Sequence, residues 1–131
     1  MLGAVYAGKR VMNRRRKKAR IEGKISVVTA GGSGLGLELC RQLMACGARA
    51  VVVLDLKQEV CDAACEELAA SGGTLVRGFA CDVSDREAVN RVAARVREEV
   101  GRADVLVNNA GIVSGKSFTE LSPGQIEATM R

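Results

Sequence analysis

A β-branched run that ends in a cluster of glycines and continues as an amphipathic segment leaves a chain few folds to choose from. Residues 25–29 (Ile-Ser-Val-Val-Thr) are apolar toward both faces, as a strand covered on both sides must be. Ala30-Gly31-Gly32-Ser33-Gly34-Leu35-Gly36 comes next, and residues 37–44 then carry apolar groups at helical spacing. Strand, tight turn and helix start, in that order, let bare backbone approach an anion. The helix N-terminus adds free N–H groups and a partial positive charge, which suits a pyrophosphate. Glycine is also the default turn residue, so the run by itself fits an ordinary turn. Residues at fixed distances beyond the run decide between the two.

The rest of the chain alternates. A helix is predicted from Gly34 to Cys46, with Leu35, Leu39, Leu43 and Met44 on one face and Gly47 as its stop. Residues 50–55 (Ala-Val-Val-Val-Leu-Asp) form a second buried strand, and Lys57 to Ala70 a second helix carrying Val60, Ala64 and Leu68 inward. Thr74 to Ala80 is a third strand. Ser84 with Glu87 three residues on reads as a capping box, opening a helix to Val100 that turns Val89, Val92, Val96 and Val100 inward. Ala103 to Val107 is a fourth strand, and Ser122-Pro123 starts another helix, which reaches Arg131 without a cap. Four strand–helix alternations with short connections predict an α/β fold, a Rossmann-type doubly wound parallel sheet in the order 3-2-1-4. The sheet reads as cut after its fourth strand and the start of the next helix, so the fourth strand would be an open edge. The predicted organisation is a basic arm over residues 1–21 and an incomplete dinucleotide-binding domain over residues 22–131.

Charge is segregated. Of 20 Lys and Arg, eight lie within residues 1–20, where there is no acid, and the other 111 residues carry twelve bases against fifteen acids. The arm, dense between residues 9 and 20, suits an anionic membrane surface; a solvated tail is the plainer alternative. Three aromatic side chains (Tyr6, Phe79, Phe118) give no stacking platform, which disfavours nucleic-acid binding. Five cysteines without a Cys-x-x-Cys pair, and no histidine, predict buried thiols and no metal site. No run of 18 apolar residues is present to cross a bilayer. The location expected is cytoplasmic, with the endoplasmic reticulum or another membrane surface as the alternative.

The chemistry-bearing residues fall at strand ends. Asp55 closes the second strand 19 residues after Gly36, where a carboxylate can accept both hydroxyls of an adenosine ribose and would repel a 2′-phosphate. NAD is therefore favoured over NADP, although Lys57 is a nearby cation; the plain reading of Asp55 is a helix-capping acid. Asp82, after the third strand, could bond an adenine amino group or simply shape a turn. Asn108-Asn109-Ala110-Gly111, after the fourth, offers amides and open space, or again a turn. Gly111 to Ser117 imitates a P-loop, but with three residues between its glycines where four are needed.

Taken in order, Thr29-Ala-Gly-Gly-Ser-Gly34-Leu-Gly36, Asp55, Asp82-Val83 and Asn108-Asn-Ala-Gly111 resemble the short-chain dehydrogenase/reductase family over residues 22–131. The run Val107 to Ser117 is similar to its branch of membrane-associated retinol dehydrogenases and hydroxysteroid dehydrogenases. The resemblance implies that Gly31, Ser33, Gly34, Leu35 and Gly36 contact the pyrophosphate. It assigns Asp55 to the adenosine ribose, Asp82 and Val83 to the adenine, and Asn109, Ala110 and Gly111 to the path toward the nicotinamide ribose. It implies hydride transfer between NAD and an alcohol or ketone, a lipophilic one by the branch, and homo-oligomers of the full-length protein.

Two departures stand out. Ala30 replaces the family's first motif glycine; a β-carbon at positive φ is strained by roughly 1–2 kcal/mol, unless Gly31 absorbs the turn, and strain there would lower affinity. The family's catalytic Tyr-x-x-x-Lys is absent from these residues: Tyr6 is the only tyrosine, and residue 10 is Arg. No catalytic residue is assigned, and a non-catalytic dinucleotide-binding module is the alternative function.

Overall fold

The computed structural model describes residues 21–112, 115 and 117–130. The basic stretch 9–20 and part of the P-loop imitation lie outside them. Four parallel strands, β1 (Ile25–Thr29), β2 (Ala50–Asp55), β3 (Leu75–Ala80) and β4 (Val105–Val107), lie in the order β3-β2-β1-β4. Between them run α1 (Gly34–Ala45), α2 (Gln58–Ala69) and α3 (Arg86–Glu99), and after β4 come a 3-10 turn at Phe118–Glu120 and α4 (Pro123–Met130). This is the expected Rossmann-type doubly wound arrangement, with each boundary within two residues of the sequence reading.

The sheet is sandwiched because β1 and β2 are apolar on both faces. Val28, Val51, Val53 and Val76 pack with Cys40 of α1 and with Cys61, Ala64 and Leu68 of α2. Val27, Val52, Leu54 and Phe79 pack on the other face against Val92 and Val96 of α3. The chain therefore winds outward from β1 to β3 under α1 and α2. It then returns over the opposite face to β4, as right-handed crossovers require. The switch point lies between β1 and β4, at the carboxyl ends of the strands.

Both edges of the sheet are marked. At β3 the Gln58 amide donates to the Gly78 carbonyl (3.2 Å) and accepts from the Ala80 N–H (3.0 Å), standing in for a neighbouring strand. At β4, Asp104 ties the strand's start to β1: its carboxylate accepts the Ile25 N–H and its own N–H donates to the Ile25 carbonyl, both at 2.9 Å. Among the described residues no strand pairs with the outer side of β4. A groove of about 600 Å³ runs over β1 and β4 beside α3, lined by Val27, Val92, Val96 and Leu106, with Arg97 and Arg102 also on its wall. Among the described residues no helix is long and apolar enough to cross a membrane.

Three local expectations are corrected. Leu35 does not face the core; it is 70% exposed, and the buried face of α1 is carried by Gly36 and Cys40 with Leu37, Leu43 and Met44 packed alongside. The first turn of α1 is exposed to solvent beside the glycine run, so apolar periodicity starts one turn later. Val89 is 38% exposed because it faces the open groove. The cap of α3 is Asp85, whose carboxylate accepts the Glu87 and Ala88 N–H groups at 2.9 and 3.3 Å, while the Ser84 hydroxyl donates instead to Asp82 at 2.7 Å. A carboxylate at a helix N-terminus also gains from the dipole. Asp85→Ala is expected to cost about 1 kcal/mol, read as a lowered urea midpoint.

Cys40 and Cys61 are fully buried, and burial pushes both thiols up to about 11. A thiol that ionises near 9 when unfolded and near 11 when folded stabilises the fold below pH 9. That contribution is lost as pH rises through 11. Thermal midpoints should therefore fall between pH 9 and 11. The fall should shrink in Cys40→Ala and Cys61→Ala when each is compared with its own midpoint at pH 8.

Candidate dinucleotide-binding site

Because the strands are parallel, the cofactor-site candidates from all four strands lie together at the carboxyl end of the sheet. The turn leaves β1 with Ala30 at φ +50 and Gly34 at φ +53. Gly31 does not absorb the strain expected at residue 30. Its N–H is committed to the Leu54 carbonyl at 3.0 Å, and a β-carbon on it would lie 3.0 Å from the Val28 carbonyl oxygen and 3.3 Å from Val53. Gly31 is thus held against β2, and the left-handed bend falls on Ala30.

The turn and the carboxylate of β2 meet directly. The Gly32 N–H donates to Asp55 Oδ2 at 3.1 Å, and the Leu56 N–H donates to Oδ1 at 2.8 Å. A side chain at residue 32 would run into Val60 and lie 2.8 Å from Asp55 Oδ2, so only glycine allows this approach. Gly36 is as constrained: its β-carbon would fall on the Ala30 carbonyl and 2.8 Å from Asn109 Nδ2. Ser33 occupies the N-cap of α1 in an extended conformation with no side-chain cap bond. Its hydroxyl therefore does not occupy the first-turn N–H groups, and Ser33, Gly34 and Leu35 are exposed at the mouth.

The neighbouring strand ends complete the edge. The Cys81 N–H donates to the Asp55 carbonyl at 2.7 Å, which brings Asp82 and Val83 beside the end of β2. Asp82 is exposed; the Ser84 hydroxyl and N–H both donate to Oδ1, at 2.7 and 2.9 Å, and hold its carboxyl below the usual range. Ala110 and Gly111 are exposed after β4, and a side chain on Gly111 would meet open space.

Asn109 reaches back to the glycine turn. Its side-chain amide donates to the Thr29 and Ala30 carbonyls at 3.1 and 3.3 Å. The residue the sequence reading missed is Thr29. Its hydroxyl oxygen accepts the Asn109 and Ala110 N–H groups at 3.0 and 2.9 Å, and lies 3.3 Å from the Val107 carbonyl as donor. A hydroxyl on the last residue of the strand before the glycine turn was the available signal.

The donor set fits a dinucleotide. A glycine turn with close backbone approach precedes a helix N-terminus, and a carboxylate is bonded to that turn. Comparison with known proteins agrees. A family model described as short chain dehydrogenase matches residues 24–131. Human epidermal retinol dehydrogenase 2 is 39% identical over 103 residues, covering 79% of this chain and 33% of that protein. The chain thus spans about a third of the length of that relative. A metagenomic short-chain oxidoreductase in complex with NADP superposes with a TM-score of 0.71 at 35% identity, covering 85% of this chain and 50% of that one. An NAD+-bound xylitol dehydrogenase superposes at 0.76 with 27% identity, covering 84% and 42%. With the motifs in order, the sheet topology in agreement and a family match across most of its residues, the chain belongs to the short-chain dehydrogenase family.

Proposed function

We propose that this chain forms the dinucleotide-binding part of an oxidoreductase that moves hydride between NAD and an alcohol or ketone. The observation that carries the proposal is the hydrogen bond from the Gly32 N–H to Asp55, which sets a carboxylate at the rim of the phosphate-binding turn. The nicotinamide, when bound, supplies the hydride acceptor or donor. The chain's own part is binding and orientation.

The N–H groups at the start of α1, with Ser33, Gly34, Leu35 and Gly36, would hold the pyrophosphate, and Gly31, its own N–H bonded to Leu54, would contribute only close backbone approach. Asp55 would accept the ribose hydroxyls, and its charge favours NAD over a cofactor with a 2′-phosphate. Asp82 and Val83 would flank the adenine, with Oδ2 of Asp82 free of the Ser84 bonds. Ala110 and Gly111 would give the nicotinamide ribose its path, and Asn109 would shape it from behind. Likeness to a retinol dehydrogenase supports a lipophilic alcohol as substrate, and residues 9–20 suit contact with an anionic membrane surface. Family likeness supports a homo-oligomer.

The pattern Tyr-x-x-x-Lys does not occur in this sequence: its one tyrosine is Tyr6, with Arg at residue 10. That supports the second reading, binding without turnover. Isothermal titration with NAD+ and a parallel assay of NADH production from retinol and short alcohols test both readings. Saturable NAD+ binding without NADH is the expected result. The absence of any NAD+ or NADP+ affinity would refute both.

A further inference from the structure

We propose that Asn109 is a positioning residue that latches the phosphate-binding turn in its strained form, and that the turn needs this latch because residue 30 is alanine. The inference rests on the dinucleotide reading above. Ala30, at φ +50, is the one non-glycine residue with positive φ among the described residues. A β-carbon in that region crowds the following carbonyl, so the conformation persists only where the surroundings hold it.

The surroundings that hold it are specific. The Ala30 carbonyl accepts from Asn109 Nδ2 at 3.3 Å, and the same amide grips the Thr29 carbonyl at 3.1 Å. Gly36 backs the Ala30 carbonyl so closely that no side chain fits between them. Asn109 is itself anchored, because its N–H and that of Ala110 both donate to the Thr29 hydroxyl. Relaxing Ala30 to negative φ would swing its carbonyl away from the amide. The next peptides would turn with it, including the Gly32 N–H that holds Asp55 at 3.1 Å. The phosphate-binding turn and the ribose-binding carboxylate would lose their alignment together. A glycine in place of Ala30 adopts positive φ without this cost, and the bond from the Gly31 N–H to the Leu54 carbonyl then suffices to keep the turn.

The test is a double-mutant cycle in the full chain: parent, Ala30→Gly, Asn109→Ala and the double variant. Each is titrated with NAD+ and melted without ligand. Asn109→Ala is expected to weaken NAD+ binding by roughly tenfold in the parent and by less than about threefold in the Ala30→Gly background. Its loss in melting temperature should be at least halved by Ala30→Gly. Folding of Asn109→Ala only when combined with Ala30→Gly would equally support the latch. Equal penalties in both backgrounds would overturn it and make Asn109 a direct ligand contact or a general support. If Asn109→Ala fails to fold in both, Asn109→Asp, which keeps the volume and removes the amide donors, is read by the same comparison. If no variant binds NAD+, the dinucleotide reading falls, while the melting cycle still decides the latch.

Discussion

Gly36→Ala is expected to leave the chain without measurable NAD+ affinity and to destabilise it by about 3 kcal/mol, the upper range for forcing atoms into a packed site. The added methyl would land on the Ala30 carbonyl and lie 2.8 Å from Asn109 Nδ2. Neither neighbour can retreat freely. The carbonyl belongs to a left-handed residue, and the amide is fixed through Asn109's own backbone bond to Thr29. Relief must come from moving the start of α1 away from β1, and that opens the turn. Domains of this size carry roughly 5–15 kcal/mol in total, so the variant should remain folded but soft. A urea midpoint and an NAD+ titration check the two effects separately. Gly34→Ala is the control: open space surrounds its missing side chain, so only the strain of its φ +53 is added, about 1–2 kcal/mol.

Asp55→Asn should reverse cofactor preference. The native carboxylate can give two charge-assisted bonds to a ribose, each worth about 1.5–3 kcal/mol. The amide keeps part of this, so a loss of roughly 30- to 100-fold in NAD+ affinity is expected. Removing the negative charge lifts its repulsion of a 2′-phosphate, and NADP+ should bind about tenfold tighter, with Lys57 near the same rim as a cation. Parallel titrations with the two cofactors give the ratio directly. An unchanged ratio would mean that Asp55 only shapes the turn through Gly32 and Leu56.

The sheet was legible because its signals are local. β1 and β2 carry runs apolar on both faces, which only a central parallel strand uses, and glycine or a capping acid marks most of the intervening ends. Strand order followed from right-handed crossovers once the alternation was seen. The meeting of the glycine turn with Asp55 was legible as well, since Gly36 and Asp55 stand at a fixed interval set by one helix and one strand.

What could not be read were choices between near-equivalent groups. Ser84 and Asp85 can each cap α3, and the tertiary placement of Asp82 gave the serine another partner. Leu35 fits the apolar stripe of α1 by spacing, yet it sits in the first turn of that helix, beyond the end of the sheet that the later turns cover. Whether Ala30 or Gly31 takes the bend depends on contacts of Gly31 with Val28, Val53 and Leu54, residues that no helical or strand period connects. Asn109 stood out for its position after β4, but nothing in the sequence pairs it with the turn. Its amide is spent on the turn, a bond across 79 residues of sequence to Ala30.

The most direct measurement is an NMR titration of the 15N-labelled chain with NAD+. The account predicts saturable shifts confined to the amides of Gly31–Leu37, Leu56, Asp82–Val83 and Ala110–Gly111, abolished by Gly36→Ala. Shifts that map elsewhere on the sheet, or none at saturating NAD+, would contradict it.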